Sequence, residues 1–177
     1  IEETPSPVLT EEQRNDLLKK TVKMVDQINY EGAGTVEFIY EEGKFYFLEM
    51  NTRLQVEHPV SEMITGIDLV KEQIKVARNE KLSFTQDNLK INGHAIEVRV
   101  CSEDPLNNFL PDIGKLLVYK TPSGPGVRID DGFEEGMDIP IYYDPMISKL
   151  IVHGKDRTEA IEKMLRAIDD YKIVGVE

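Results

Sequence analysis

Tryptophan is absent from the 177 residues, cysteine occurs once and histidine three times. A lone cysteine, Cys101, cannot close an internal disulfide, so the fold must rest on packing, and a reducing compartment is expected. His58, His94 and His153 stand too far apart for metal-ligand spacing and read as structural or surface residues. Positive charge is also scarce: 21 Lys and Arg against 33 Asp and Glu leave a net charge of -12. Phosphate groups attract Lys and Arg, so nucleic acid and anionic membrane surfaces are not expected partners. No apolar run approaches the roughly 18 residues that a membrane-spanning helix needs. The opening, IEETPSP, has neither Met nor a basic-then-apolar signal region, so the chain is expected to be an excised or processed piece. Its length allows one domain or two small ones.

What is present divides into two patterns. Pro5 and Pro7 keep the first residues extended. Thr10 and Gln13 form a T-x-x-Q capping box, and Leu17, Leu18, Val22, Val25 and Ile28 follow at helical spacing, predicting a helix near 11–30 that stops by Gly32. Two strand-like runs, TVEFIY and KFYFLEMN, flank EEG, which suits a three-residue loop closed by a left-handed glycine. That loop places Glu37 and Glu49 on one face, a diagonal step apart. Helical segments follow from HPVSEM, with Asp68 as N-cap of LVKEQIKVA. After the polar stretch RNEKLSFTQDN come HAIEVRVC, KLLVYK, GVRID and SKLIVHG, strands separated by Gly, Pro and Asp turns. Asp156 and Glu159 form a second capping box, before a final helix over 157–172.

The stretch EMNTRLQVE alternates. Glu49, Asn51, Arg53, Gln55 and Glu57 fall on odd positions; Met50, Thr52, Leu54 and Val56 fall between them. In an extended chain these are opposite faces. Two carboxylates held close repel unless a proton or cation stands between them. Glu37, Glu49 and the amide of Asn51 together make the all-oxygen ligand set that a hard cation such as Mg2+ takes. Arg53 and Gln55 suit a small planar anion such as a carboxylate or bicarbonate, and Glu57 would lie beside it as a general base. The same alternation is also the default pattern of a solvated strand face. Glu97 shares a strand face with Arg99, either as its holding partner or as an independent surface charge. Asp144 in YYDPM could cap a turn or help a dimer contact, and TPSGPGVR reads as a turn rather than a phosphate loop, because Pro125 lacks an N–H.

The run GAGTVEF…FYFLEMNTRLQVEHPVSEMITGIDLVKEQIKVA, with GHAIEVRVCSEDP, FLPDIGKL, GVRID and YYDPMISKLI after it, closely resembles biotin carboxylases, the ATP-grasp component of biotin-dependent carboxylases. The resemblance covers essentially the entire chain. It implies an α+β fold. Residues 1–78 would be the C-terminal portion of an ATP-grasp domain, 79–89 a linker, and 90–177 a biotin carboxylase C-terminal domain, incomplete at its end. It further implies that Mg2+ or Mn2+ and ATP drive phosphorylation of bicarbonate to carboxyphosphate, whose CO2 is passed to biotin on a carrier protein. By the match, Glu37, Glu49 and Asn51 would hold the metal at the ATP phosphates. Arg53, Gln55 and the Val56 backbone would hold bicarbonate, Glu57 would be the base, and Arg99 would stabilise the biotin enolate. The implied partners are a biotin carboxyl carrier, a carboxyltransferase and a second copy in a homodimer. The implied location is the bacterial cytoplasm or the mitochondrial matrix. The family's N-terminal domain, phosphate-covering lid and adenine contacts have no counterpart among these residues, so the 177 residues alone are expected to be inactive. The rival readings are an ATP-grasp ligase of carbamoyl-phosphate-synthetase type and a non-catalytic dimerisation or carrier-docking module.

Overall fold

The computed structural model describes residues 1–176. In chain order the elements are β1 (Glu2–Thr4), α1 (Glu11–Gln27), β2 (Thr35–Glu41), β3 (Lys44–Asn51), α2 (His58–Thr65), α3 (Leu69–Ala77), β4 (His94–Cys101), β5 (Glu103–Asp104), β6 (Leu110–Pro111), β7 (Gly114–Lys115), β8 (Val118–Lys120), β9 (Val127–Asp131), β10 (Asp138–Ile139), β11 (Met146–Gly154), α4 (Arg157–Asp170) and β12 (Lys172–Val174). The chain divides into two compact units, Pro5–Ile91 and Ile1–Thr4 with Asn92–Glu177. The opening strand β1 thus belongs with the C-terminal residues, not with the helix that follows it.

In the unit Pro5–Ile91, α1 begins where the capping box places it. The Thr10 hydroxyl accepts from the Gln13 N–H at 3.2 Å, and the Gln13 side chain accepts from the Thr10 N–H at 3.0 Å. The helix stops at Gln27, short of the expected boundary, because Asn29 takes a left-handed φ of 50° that breaks the ladder before Gly32. The β2–β3 hairpin also departs from expectation. Its loop has two residues, Glu42 and Gly43, with φ of 48° and 81°. Two successive left-handed residues mark the type I′ turn, whose twist matches that of the strands. Glu41 therefore pairs with Lys44 and odd positions face even ones as far as Phe38 opposite Phe47; the register then shifts, and Glu37 stands opposite Glu49. Leu48 is the extra residue of a β-bulge. Parity is restored by the bulge rather than by the loop, and Glu37 and Glu49 are direct neighbours instead of diagonal ones. Asp68 caps α3 through the Lys71 N–H at 2.8 Å.

The other unit is built on an antiparallel four-stranded sheet ordered β1-β4-β11-β9. One face packs on α4: Ile96, Leu150 and Val152 meet Ala160, Met164 and Ala167. Asp156 caps α4 through the Glu159 N–H at 2.9 Å, while the Glu159 carboxylate accepts from Lys155 rather than from Asp156, so the second box is half closed. The helix ends at Asp170, leaving Lys172–Val174 to pair with β8. The expected strand KLLVYK is split in two, because buried Leu116 donates its N–H to Met137 and Leu117 donates to Val174. A second small core of Leu116, Ile139 and Ile147 sits there. Because directly opposed residues share a face, the register places Glu2, Glu97, Ile151 and Arg128 in one row and Arg99, Lys149 and Asp130 in the next, all on the face away from α4.

Candidate functional site

The hairpin brings together three of the residues singled out as cation ligands. The Asn51 amide nitrogen lies 2.8 Å from Glu37 Oε1 and 3.0 Å from Glu49 Oε1. The amide N–H group thus occupies the place between two carboxylates that a cation would fill, and rotating the amide would turn Oδ1 towards the same point. Among the described residues no group of three His, Cys, Asp or Glu side chains is disposed to hold a metal ion; the set here is two carboxylates and an amide. Such a set leaves positions for water and phosphate oxygens, as Mg2+ prefers. The even face of β3 packs as expected at Met50, whose methyl group closes on Gly34 beside Tyr30.

Beyond Asn51 the strand ends, so the alternating row is not one strand face. Residues 52–57 form bends and a turn that lead into α2. Gln55 nevertheless returns to the carboxylate pair: its amide nitrogen donates to Glu37 Oε1 at 2.8 Å. Its Oε1 is buried and accepts no hydrogen bond. Arg53 is exposed and its Nη1 lies 3.3 Å from its neighbour's carbonyl, Leu54 O. Val56 and Glu57 are half-buried, and Glu57 occupies the N-cap of α2 without a side-chain capping bond. His58 is structural: its Nδ1 meets Gln55 O at 2.8 Å, holding the turn that presents Gln55.

Arg99 lies in the other unit, on β4. Its Nη2 stands 3.0 Å from Glu2 Oε1. Glu97 is neither the salt-bridge partner nor a surface charge: it is wholly buried, and both its oxygens lack hydrogen bonds. Burial pushes this carboxyl up to about 7, against the opposing pull of Lys149, with Glu2 adding to the rise. On the same face Arg128 grips Asp130 in a two-point pair at 2.7 and 2.9 Å, and Lys149 Nζ lies 3.4 Å from Asp130. Glu2 carries no signal in sequence, since only pairing of β1 with β4 brings it to Arg99. Asp144 caps a turn through the Met146 N–H at 2.8 Å. His94 and His153 are tied to Glu3 and to the Asn92 carbonyl. Gly126 sits at φ 73°, where a Cβ would strike the His153 carbonyl, so TPSGPGVR is a tight turn.

Residues 1–85 match the family model for the carbamoyl-phosphate synthase L chain, ATP binding domain, and residues 97–177 match the biotin carboxylase C-terminal domain. A pyruvate carboxylase subunit of Methanothermobacter thermautotrophicus is 56% identical over 177 residues, covering all of this chain and 36% of that protein. Biotin carboxylase 1 of Bacillus subtilis is 50% identical over 179 residues, covering 40% of its length. The chain therefore spans well under half of these relatives. The biotin carboxylase domain dimer of Hydrogenobacter thermophilus 2-oxoglutarate carboxylase, solved with MgADP, ADP and bicarbonate, superposes with a TM-score of 0.96 at 45% identity, over 99% of this chain and 39% of that one. The two family matches in tandem, the identity across the full chain and the superposition agree: this chain belongs to the biotin carboxylase family.

Proposed function

We propose that the chain is part of an enzyme that uses Mg-ATP and bicarbonate to carboxylate biotin on a carrier protein, with carboxyphosphate as the intermediate. The observation that carries this reading is the convergence of Glu37, Glu49, Asn51 and Gln55 on one point of the hairpin. Glu37, Glu49 and Asn51 would hold Mg2+, which when bound neutralises phosphate charge during phosphoryl transfer. The buried, unpartnered Oε1 of Gln55 supports bicarbonate rather than a fully deprotonated anion. Bicarbonate keeps one O–H to donate, while its other oxygens accept from Arg53 and the Val56 backbone. That single O–H would turn from Gln55 to Glu57, which would take its proton, and Arg99 would stabilise negative charge that appears on biotin only during its carboxylation. The biotin carboxylase match over 97–177 favours biotin over the carbamoyl-phosphate chemistry that names the family matched by 1–85. A carrier protein or domain, a carboxyltransferase and a second copy of the enzyme are the partners this reading requires.

The test uses the complete enzyme. Glu37→Gln and Glu49→Gln should each raise the Mg2+ concentration needed for half-maximal ATP cleavage by tenfold or more, because each removes one of two charges facing the ion. An unchanged Mg2+ requirement in both variants would remove the hairpin from the metal site.

A further inference from the structure

We propose that Glu97 is a positioning residue for Arg99, a buried carboxyl whose proton sets how much of the arginine's charge reaches an anionic substrate. The inference rests on the role of Arg99 given above. Glu97 is wholly buried and neither oxygen accepts a hydrogen bond. An ionised carboxylate in that position is among the costliest groups a fold can hold, and a bound proton removes the cost. Directly opposite stands Glu2, whose Oε2 is also buried without a hydrogen bond. Two carboxyl groups so placed need a proton or a cation between them; the Arg99 guanidinium meets Glu2 at 3.0 Å, while no donor bonds to either Glu97 oxygen.

The groups facing Glu97 come from every strand of the sheet. Glu2 lies on β1, Arg99 on β4, Lys149 on β11, and Arg128 and Asp130 on β9. Burial is the main force keeping the proton on Glu97, with Glu2 and Asp130 in support; Lys149 and Arg99 oppose it. The balance leaves the group poised to titrate near neutrality. Arg99 lies two residues along on the same strand face, with its side chain 41% exposed and its Nη2 on Glu2. While Glu97 is protonated, the guanidinium adjoins a neutral carboxyl. Once Glu97 ionises, a second negative charge stands behind the arginine, draws it towards the sheet and offsets its field at an incoming anion. One charge two residues away along a strand, about 7 Å, in a half-solvated site is worth roughly tenfold in rate.

The experiment measures kcat/KM for free biotin against pH in the complete enzyme, for wild type, Glu97→Gln, Glu97→Asp and Arg99→Ala, alongside bicarbonate-dependent ATP cleavage without biotin. The Gln variant is fixed in the neutral form. Its rate relative to wild type should climb roughly tenfold as pH rises through neutrality, in the biotin-dependent step alone, while the Asp variant keeps a titrating profile. Parallel profiles for wild type and Glu97→Gln would overturn the inference. Equal losses in both activities for Arg99→Ala would instead overturn the role of Arg99, and the inference with it. A selective loss in Arg99→Ala beside parallel Glu97 profiles would remove Glu97 only. If Glu97→Gln fails to fold, infrared spectroscopy of the wild type decides: the carbonyl band of a protonated carboxylic acid should fade as pH rises through neutrality. No band fading there would sink the proposal.

Discussion

Glu72 and Glu97 are both buried carboxylates, and their surroundings push them in opposite directions. Glu72 Oε1 accepts from Lys75 Nζ at 2.8 Å and from the Ser83 hydroxyl at 2.6 Å, and Oε2 accepts from the Ser83 N–H at 3.0 Å. These bonds, led by Lys75, hold its carboxyl down to about 2. A depressed folded-state value contributes stability above the unfolded value of 4.5 and loses it as pH falls towards 2. Glu72→Gln should therefore be less stable than wild type at neutral pH, with the gap closing on acidification, as urea unfolding across that range would record. For Glu97, raised to about 7, the sign reverses. Its penalty is absent below 4.5 and grows until pH passes 7, so Glu97→Gln should gain on wild type through that window, by on the order of 3 kcal/mol. Unfolding curves with the same pH slope for both proteins would refute this. Arg99 is exposed enough to meet a ligand, and in the complete enzyme Arg99→Ala should harm biotin carboxylation at least tenfold more than ATP cleavage, because charge on biotin develops only in the second half-reaction. The chemical types of these residues were readable from sequence. The hydrogen bonding that separates Glu72 from Glu97 was not, since Ser83 reaches Glu72, and no donor reaches Glu97, only once the chain has folded.

At the scale of elements, local signals were the legible ones. Thr10–Gln13, Asp68 and Asp156 cap the helices that follow them because a cap needs only residues within one turn. Thr10→Ala should lower stability by about 1 kcal/mol, measured by thermal unfolding. The hairpin was legible as a hairpin, but its register depends on backbone choices that composition does not express. EEG accommodates either a three-residue loop or the observed pair Glu42 and Gly43, and nothing in FYFLEM announces a bulge at Leu48. In the turn, Gly43 takes φ 81°, a left-handed backbone that strains any side chain placed there. Gly43→Val should cost about 1–2 kcal/mol, and by loosening the register should weaken Mg2+ binding as well; a variant with wild-type melting and wild-type Mg2+ affinity would show that the turn does not govern the site.

For the whole molecule, the two units differ in how fully they are packed. The sheet of β1, β4, β11 and β9 buries Leu150, Ile151 and Val152 completely on its central strand. In Pro5–Ile91 only Pro59, Val60, Glu62, Ile64 and Glu72 are buried among the described residues, α1 buries none, and Leu18, Val22, Ile28, Phe47 and Leu48 are each half exposed or more. Apolar stripes left open to water contribute little stability. Because Glu49 and Asn51 stand on a strand that is largely open to water, the 177 residues alone should bind Mg-ATP poorly and turn over nothing. Calorimetric titration with Mg-ATP checks this, and micromolar binding or biotin-stimulated ADP release would contradict it. The sequence by itself determined the helices and their caps, most strand positions, the acidic balance and the donor chemistry of Glu37, Glu49, Asn51, Arg53 and Gln55. All of these follow from side-chain type and short-range spacing. Only the tertiary structure decided that β1 joins the distant sheet, that Glu2 stands against Glu97 and Arg99, that the chain leaves its strand after Asn51, and that Gln55 turns back to Glu37. Each of these depends on contacts between residues far apart in the chain, or on a backbone turn that several sequences permit, and such contacts exist only once the chain has closed on itself.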